Sequence, residues 1–227
     1  MCLQCVNGRE GNSIMKIELQ KVLPQEIEAR SMEIITSELG GHSFTEEQLP
    51  VALRVIHTSA DFEYAKNLVF SEAAVKTGVE TIKNGCVIVT DTQMVRSGIN
   101  KTVLEKFGGE AVCFMSDPDV AKEAKERGIT RAAVSMERAA KIDKPVILAL
   151  GNAPTAVVKV CELMADGFSP KLVIGVPVGF VNVVESKELL LTMPGEHIVA
   201  RGRKGGSNVA AAICNALIYI ASKNERE

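Results

Sequence analysis

The sequence predicts an α/β fold: a doubly wound, mainly parallel sheet with helices on both faces, preceded by N-terminal helices. Two observations carry this. After about residue 80, the short apolar runs "CVIVTD", "AVCFMSD", "PVILALG", "KLVIGVPVG" and "HIVARG" end in small or polar residues, and the first four lead into helix-like segments. Continuous apolar runs alternating with helices mark parallel strands covered on both faces. The 227-residue chain is also long enough to bury such a core, with no repeat, low-complexity tract or Pro/Ser-rich linker to divide it.

The amphipathic pattern begins only after Met15, so residues 1–14 are expected to be a disordered, dispensable extension and residues 15–227 one domain. In "VLPQEIEARSMEIITSEL", Ile27, Met32, Ile34, Ile35 and Leu39 suggest a helix opened near Pro24 and stopped by Gly40-Gly41. In "FTEEQLPVALRVIHTSA", Thr45 and Gln48 have capping-box spacing and Leu49, Leu53 and Ile56 share a face. Pro50 falls early in that helix, where a missing N–H costs least. Five strands follow, and right-handed crossovers place the loops after them along one edge, where such sheets bind ligands.

Composition excludes several classes. With 26 basic and 28 acidic residues interspersed and a formal charge of -2, nothing marks a nucleic-acid or anionic-membrane binder. No apolar stretch reaches the ~18 residues of a membrane span, and the first residues lack the apolar core of a signal peptide, so a cytoplasmic location is expected. Cys86, Cys113, Cys161 and Cys214 sit in apolar patterns and read as core thiols, while Cys2 and Cys5 form a C-x-x-C with no second pair to complete a zinc site. The three histidines make no H-x-x-x-H or H-E-x-x-H pattern, and no Walker A, dinucleotide fingerprint or G-x-S-x-G elbow occurs. No protein metal site is therefore expected.

The loops on the ligand edge carry the polar groups. "TDTQMVRSGINK" offers Asp91 and Gln93, "GNAPT" offers Asn152 and Thr155, and "GVPVGFVNVVESK" offers Lys187. In "GNAPT" a glycine leaves the strand, Asn152 is placed to cap and Pro154 suits a first helical turn, leaving N–H groups for a ligand; a well-capped helix is the plainer alternative. In "RGRKGGSN", Arg201, Arg203, a lysine and two glycines precede a helix expected to be capped by Ser207, an anion cradle or else a solvated basic loop. Together these loops suit a large ligand bearing several carboxylates or phosphates.

His57 lies four residues after Leu53, beside the core-facing stripe and near the C-terminal end of its helix, where the dipole favours a protonated ring. Spacing alone leaves open whether it is catalytic or only a dipole partner.

The blocks "RVIHTSADFEYAKNLVFS", "TDTQMVRSGI", "TRAA", "GNAPTAV", "GVPVGFVNVVESK" and "RGRKGGSNVAAAICNAL" resemble, in order and spacing, those of the precorrin-8X methylmutase family of corrin biosynthesis, over roughly residues 20 to 220. The resemblance implies a homodimeric α/β isomerase that binds a tetrapyrrole in a deep site near the subunit interface. It moves a methyl group from C11 to C12 of precorrin-8X or cobalt-precorrin-8 by a proton-assisted 1,5-sigmatropic shift, giving hydrogenobyrinate or cobyrinate. By this resemblance His57 is the catalytic histidine, Ser31 in "ARSMEII" lies near the substrate, and Arg131 in "TRAA" suits a peripheral carboxylate, although a surface helix charge is the alternative for it. Asp91, Gln93, Asn152, Thr155, Lys187, Arg201, Arg203 and Ser207 are expected to line the site. No cofactor is implied, since the migrating methyl is already on the substrate and any cobalt belongs to it. "HTSADFEY" resembles the anaerobic, cobalt-loaded branch. The rival reading is a corrinoid carrier without catalysis.

Overall fold

The structure is a computed structural model that describes residues 4–6, 14–16 and 20–223. Strands β1 (Gln4–Val6) and β2 (Ile14–Lys16) form an antiparallel ribbon; the rest of the 1–14 segment lies outside the described residues. Helix α1 (Ile27–Leu39) follows a single 3-10 turn begun by Pro24 and stops at Gly40, whose φ of 63° lies in the left-handed region. Helix α2 (Leu49–Ser59) carries Pro50 in its first turn. Its capping box forms reciprocally: the Thr45 N–H donates to Gln48 Oε1 (3.2 Å) and the Gln48 N–H donates to Thr45 Oγ1 (3.3 Å). The buried face of α2 comprises Val51, Ala52, Val55 and Ile56; of the expected stripe only Ile56 belongs to it, while Leu49 and Leu53 are half-buried at its side. Packing between α1 and a C-terminal helix explains this, because both sides of α2 are covered.

After α3 (Tyr64–Asn67) the chain enters β3 (Leu68–Phe70), α4 (Ala74–Lys83), β4 (Val87–Thr90), α5 (Gln93–Gly98), α6 (Lys101–Lys106) and β5 (Glu110–Val112). It continues through α7 (Pro118–Arg127), α8 (Arg131–Ala139), β6 (Val146–Leu150), α9 (Pro154–Ala165), β7 (Leu172–Gly175), α10 (Val183–Leu191), β8 (His197–Ala200) and α11 (Ser207–Ala221). The sheet order is β3-β8-β7-β6-β4-β5, with every pairing parallel except β3 with β8. The expected doubly wound, mainly parallel sheet is the observed one. The antiparallel edge strand β3 is additional.

Side chains alternate across the sheet with period 2. Ile88, Ile147, Ile174 and Ile198 face α2, α4, α5, α6 and α11. Val87, Val89, Leu148, Val173 and Val199 face α8, α9 and α10. Burying each such aliphatic side chain is worth about 1.5–3 kcal/mol, so both layers anchor to the sheet independently. Cys86, Cys113, Cys161 and Cys214 are buried free thiols, as their apolar surroundings suggested; burial pushes Cys86 up to about 12 and Cys161 up to about 11. Among the described residues, no helix is long and apolar enough to cross a membrane.

Candidate active site

Neighbouring strands β4 and β6 send their following helices to opposite faces of the sheet, α5 to one and α9 to the other. That divergence opens a crevice at their carboxyl ends, the usual ligand position in such sheets. Here Asp91 fills it. Its fully buried carboxylate accepts the N–H groups of Gly151 (2.9 Å), Asn152 (2.7 Å) and Ala153 (2.7 Å). Burial pushes this carboxyl pKa up, against the pull of the three N–H donors. The expected cap of α9, Asn152, is not the cap: its side chain is exposed, and Asp91 supplies the acceptor from the neighbouring strand. Asp91 has no free face for a ligand, which shifts the open site towards α2 and α11.

Two cavities run side by side there. One of about 320 Å³ is lined by Arg54, His57, Asn208 and Tyr219 with small residues of α11 and Gly98. The other, of about 350 Å³, is lined by Asp61, Tyr64, Val178, Lys204 and Gly205. Thr58 and Asn208 border both, making one continuous groove. The ring of His57, half-buried in the last turn of α2, makes no hydrogen bond to any described residue, so its nitrogens are open to a ligand. One turn earlier, Arg54 donates to Glu28 Oε1 at 2.5 Å and lies 5.4 Å from the Tyr219 ring centroid, tying α2 to α1 and α11.

The rim of the groove is the 201–206 loop. Lys204 bridges Asp61 (2.6 Å) and Glu63 (2.9 Å), and its ammonium holds the Asp61 carboxyl below the usual carboxylate range. Arg203 lies 5.3 Å from the ring centroid of Phe180, itself 83% exposed on the 176–182 loop. Lys187 points inward, its ammonium bound to the carbonyls of Gly202 and Lys204, and burial lowers its pKa to about 8. It supports the loop from beneath rather than lining the edge. Ser207 is the first residue of α11, not its cap, and its hydroxyl meets Thr92 Oγ1 at 3.0 Å. Gly205 is where the loop presses closest on its neighbour: φ is 159°, and a Cβ would lie 2.1 Å from the Val176 carbonyl oxygen. Gly205→Ala should therefore displace the loop and cost about 1–3 kcal/mol, read as a lowered melting temperature.

The remaining expected residues are dispersed. Ser31 on α1 donates to the Ile27 carbonyl (2.8 Å) and lines neither cavity. Gln93 donates to the Cys113 carbonyl (3.3 Å) and Ser116 Oγ (3.2 Å), bracing the β5 loop. Arg201 is exposed and reaches Glu188 at 3.2 Å. Exposed Arg131 donates to the Met115 carbonyl (3.2 Å) at the head of α8, on the far face of the sheet. Beside it Thr130 donates to Thr155 Oγ1 (3.1 Å), and both threonines line a further cavity of about 520 Å³ with Val158 and Val181. The 176–182 loop borders both regions, Val178 in the groove and Val181 in the far cavity.

Sequence reasoning noted Lys204 only as the lysine of the basic 201–206 loop and missed Arg54, Asn208 and Tyr219. A signal for the last two existed: Asn208, Asn215 and Tyr219 interrupt an otherwise apolar helix at spacings that put them on one face.

An imidazole without a partner among the described residues, in a groove at the carboxyl edge of a parallel sheet, fits an α/β enzyme. The profile of the precorrin-8X methylmutase family (CbiC) matches residues 26–220. The chain is 48% identical over 201 residues to the cobalt-precorrin-8 methylmutase of Priestia megaterium, covering 88% of this chain and 89% of that one. It is 35% identical over 191 residues to a precorrin-8X methylmutase of a Sinorhizobium species, covering 83% and 90%. The crystal structure of precorrin-8X methylmutase from Thermus thermophilus superimposes with a TM-score of 0.81 at 38% identity, covering 88% of this chain and all of that one. This protein belongs to the precorrin-8X methylmutase family, and is an isomerase of corrin biosynthesis.

Proposed function

We propose that the protein moves the methyl group of cobalt-precorrin-8 from C11 to C12, giving cobyrinate, with His57 as the proton donor. The observation that carries this reading is the His57 ring, without a partner among the described residues and lining the groove rimmed by Lys204 and the 201–206 loop. Protonating or hydrogen-bonding the conjugated ring draws electron density from the migrating bond, and an imidazole holds a transferable proton near neutral pH. Basic side chains suit the peripheral carboxylates, and exposed Val178, Phe180 and Val181 suit apolar faces of a macrocycle or of a second subunit.

The cobalt-loaded substrate is favoured because identity is higher to the relative named for it, 48%, than to the one named for the metal-free form, 35%. In this reading residues 15–227 act as one unit, a cytoplasmic homodimer that needs no cofactor of its own. Ser31, Arg131 and Thr155, which lie outside the groove, would meet substrate only at its periphery. Anaerobic incubation with cobalt-precorrin-8, and separately with precorrin-8X, followed by visible spectroscopy is the test. Faster conversion of the cobalt form supports the proposal. Conversion of only the metal-free form overturns the branch, and binding of both without conversion leaves a carrier.

A further inference from the structure

Lys187 is among the largest side chains with no solvent exposure, yet no carboxylate lies within ion-pairing distance of it among the described residues. A buried cation without a counter-ion is costly. What it holds is backbone: Nζ donates to the carbonyl oxygens of Gly202 and Lys204, each at 2.8 Å. The intervening carbonyl, that of Arg203, accepts the Gly179 N–H at 3.2 Å, and the Gly206 N–H is held by the Val176 carbonyl at 2.9 Å. Four bonds from two elements thus fix a six-residue loop.

The orientation of those carbonyls has a geometric consequence. In a planar trans peptide the C=O of one residue and the N–H of the next point in opposite directions. Carbonyls of Gly202 and Lys204 turned towards Lys187 therefore send the N–H groups of Arg203 and Gly205 out of the other side of the loop. Neither N–H has an acceptor among the described residues. Gly202 (φ 77°) and Gly205 (φ 159°) supply the backbone freedom the loop needs. Gly205 and the Lys204 side chain both line the 350 Å³ cavity of the groove. Two unpaired N–H groups with the buried Lys187 ammonium behind them, beside a Lys204 ammonium that offsets the carboxylates of Asp61 and Glu63, form a concavity for an anion.

We infer that Lys187 is a positioning residue: it shapes the 202–205 backbone into a nest for one peripheral carboxylate of the macrocycle, without touching the ligand itself. The inference rests on the tetrapyrrole reading above. Lys187→Met preserves chain length while removing the charge and donors. With cobalt-precorrin-8 as substrate, this variant should raise KM about tenfold and leave kcat within about threefold, because uniform binding is lost and the reacting centre is untouched. An unchanged KM, or a fall in kcat at constant KM, overturns it. A measurement on the wild type covers the case of a variant that does not fold: amide hydrogen exchange at Arg203 and Gly205, with and without saturating cobyrinate. Slowed exchange at both amides is expected. Cobyrinate binding without that protection overturns this inference alone, whereas failure of the wild type to bind cobyrinate removes the tetrapyrrole reading and the nest with it.

Discussion

Replacing His57 by alanine is expected to leave a folded protein that still binds the macrocycle but converts it at least about 100-fold more slowly, the lower end of what a positioned proton donor contributes. The fold should tolerate the change. The ring is half-buried at the end of α2 and makes no hydrogen bond to any described residue, so nothing buried is orphaned. Truncation at such a place ordinarily costs within about 1 kcal/mol. Binding should persist because the groups proposed to meet the substrate's carboxylates, on the 201–206 loop, lie on another segment of the groove. His57→Gln separates two chemical roles, since an amide can donate a hydrogen bond but cannot pass on a proton near neutral pH. A glutamine variant as slow as alanine identifies proton transfer; one near wild type identifies hydrogen bonding. An alanine variant converting within threefold of wild type, by the same spectroscopic assay, would move the protein to the carrier reading.

The sheet was legible because its strands are buried on both faces. "VILAL" and "LVIG" are apolar at every position, and short runs of that kind alternating with helical segments are what parallel strands between two helical layers produce. β3 was not legible for the opposite reason: three residues at a sheet edge, one buried and two half-buried, carry no period. Helix boundaries set by proline and glycine, at Pro24, Gly40 and Pro50, could be read directly, since those residues act through their own backbone.

Caps were harder, because the partner need not be local. Asn152 and Ser207 stand where a sequence rule puts an N-cap, but α9 takes its acceptor from Asp91, 61 residues from Asn152 in sequence, and α11 begins after Gly206. The polar residues at the ligand edge divide in the same way. Sequence spacing shows that Asp91, Gln93 and Lys187 reach the edge; only the three-dimensional arrangement shows that their polar atoms are engaged by backbone groups or a neighbouring loop. Charge alone does not say whether a side chain serves the ligand or the loop that meets it.

Asp91 gives the second large effect, and one that separates those two roles. Asp91→Ala leaves the N–H groups of Gly151, Asn152 and Ala153 without their acceptor at the start of α9. Each orphaned buried donor costs about 1–3 kcal/mol. Gly151 is buried, Ala153 half-buried and Asn152 exposed, so water admitted to the vacated crevice can recover part of the loss. A net destabilisation of about 3–4 kcal/mol follows, equivalent to a melting temperature lower by roughly 6–16 °C for a chain of this size. Asp91→Asn should fall between the two, since one amide oxygen still accepts while its NH2 group opposes the inward-pointing N–H donors. Had the carboxylate served the ligand, the variant would melt within about 2 °C of wild type and show its defect in KM. The geometry favours the first outcome: a carboxylate with no exposure, spent on three backbone donors, joins β4 to α9 across the crevice and leaves the groove beside His57 as the open face.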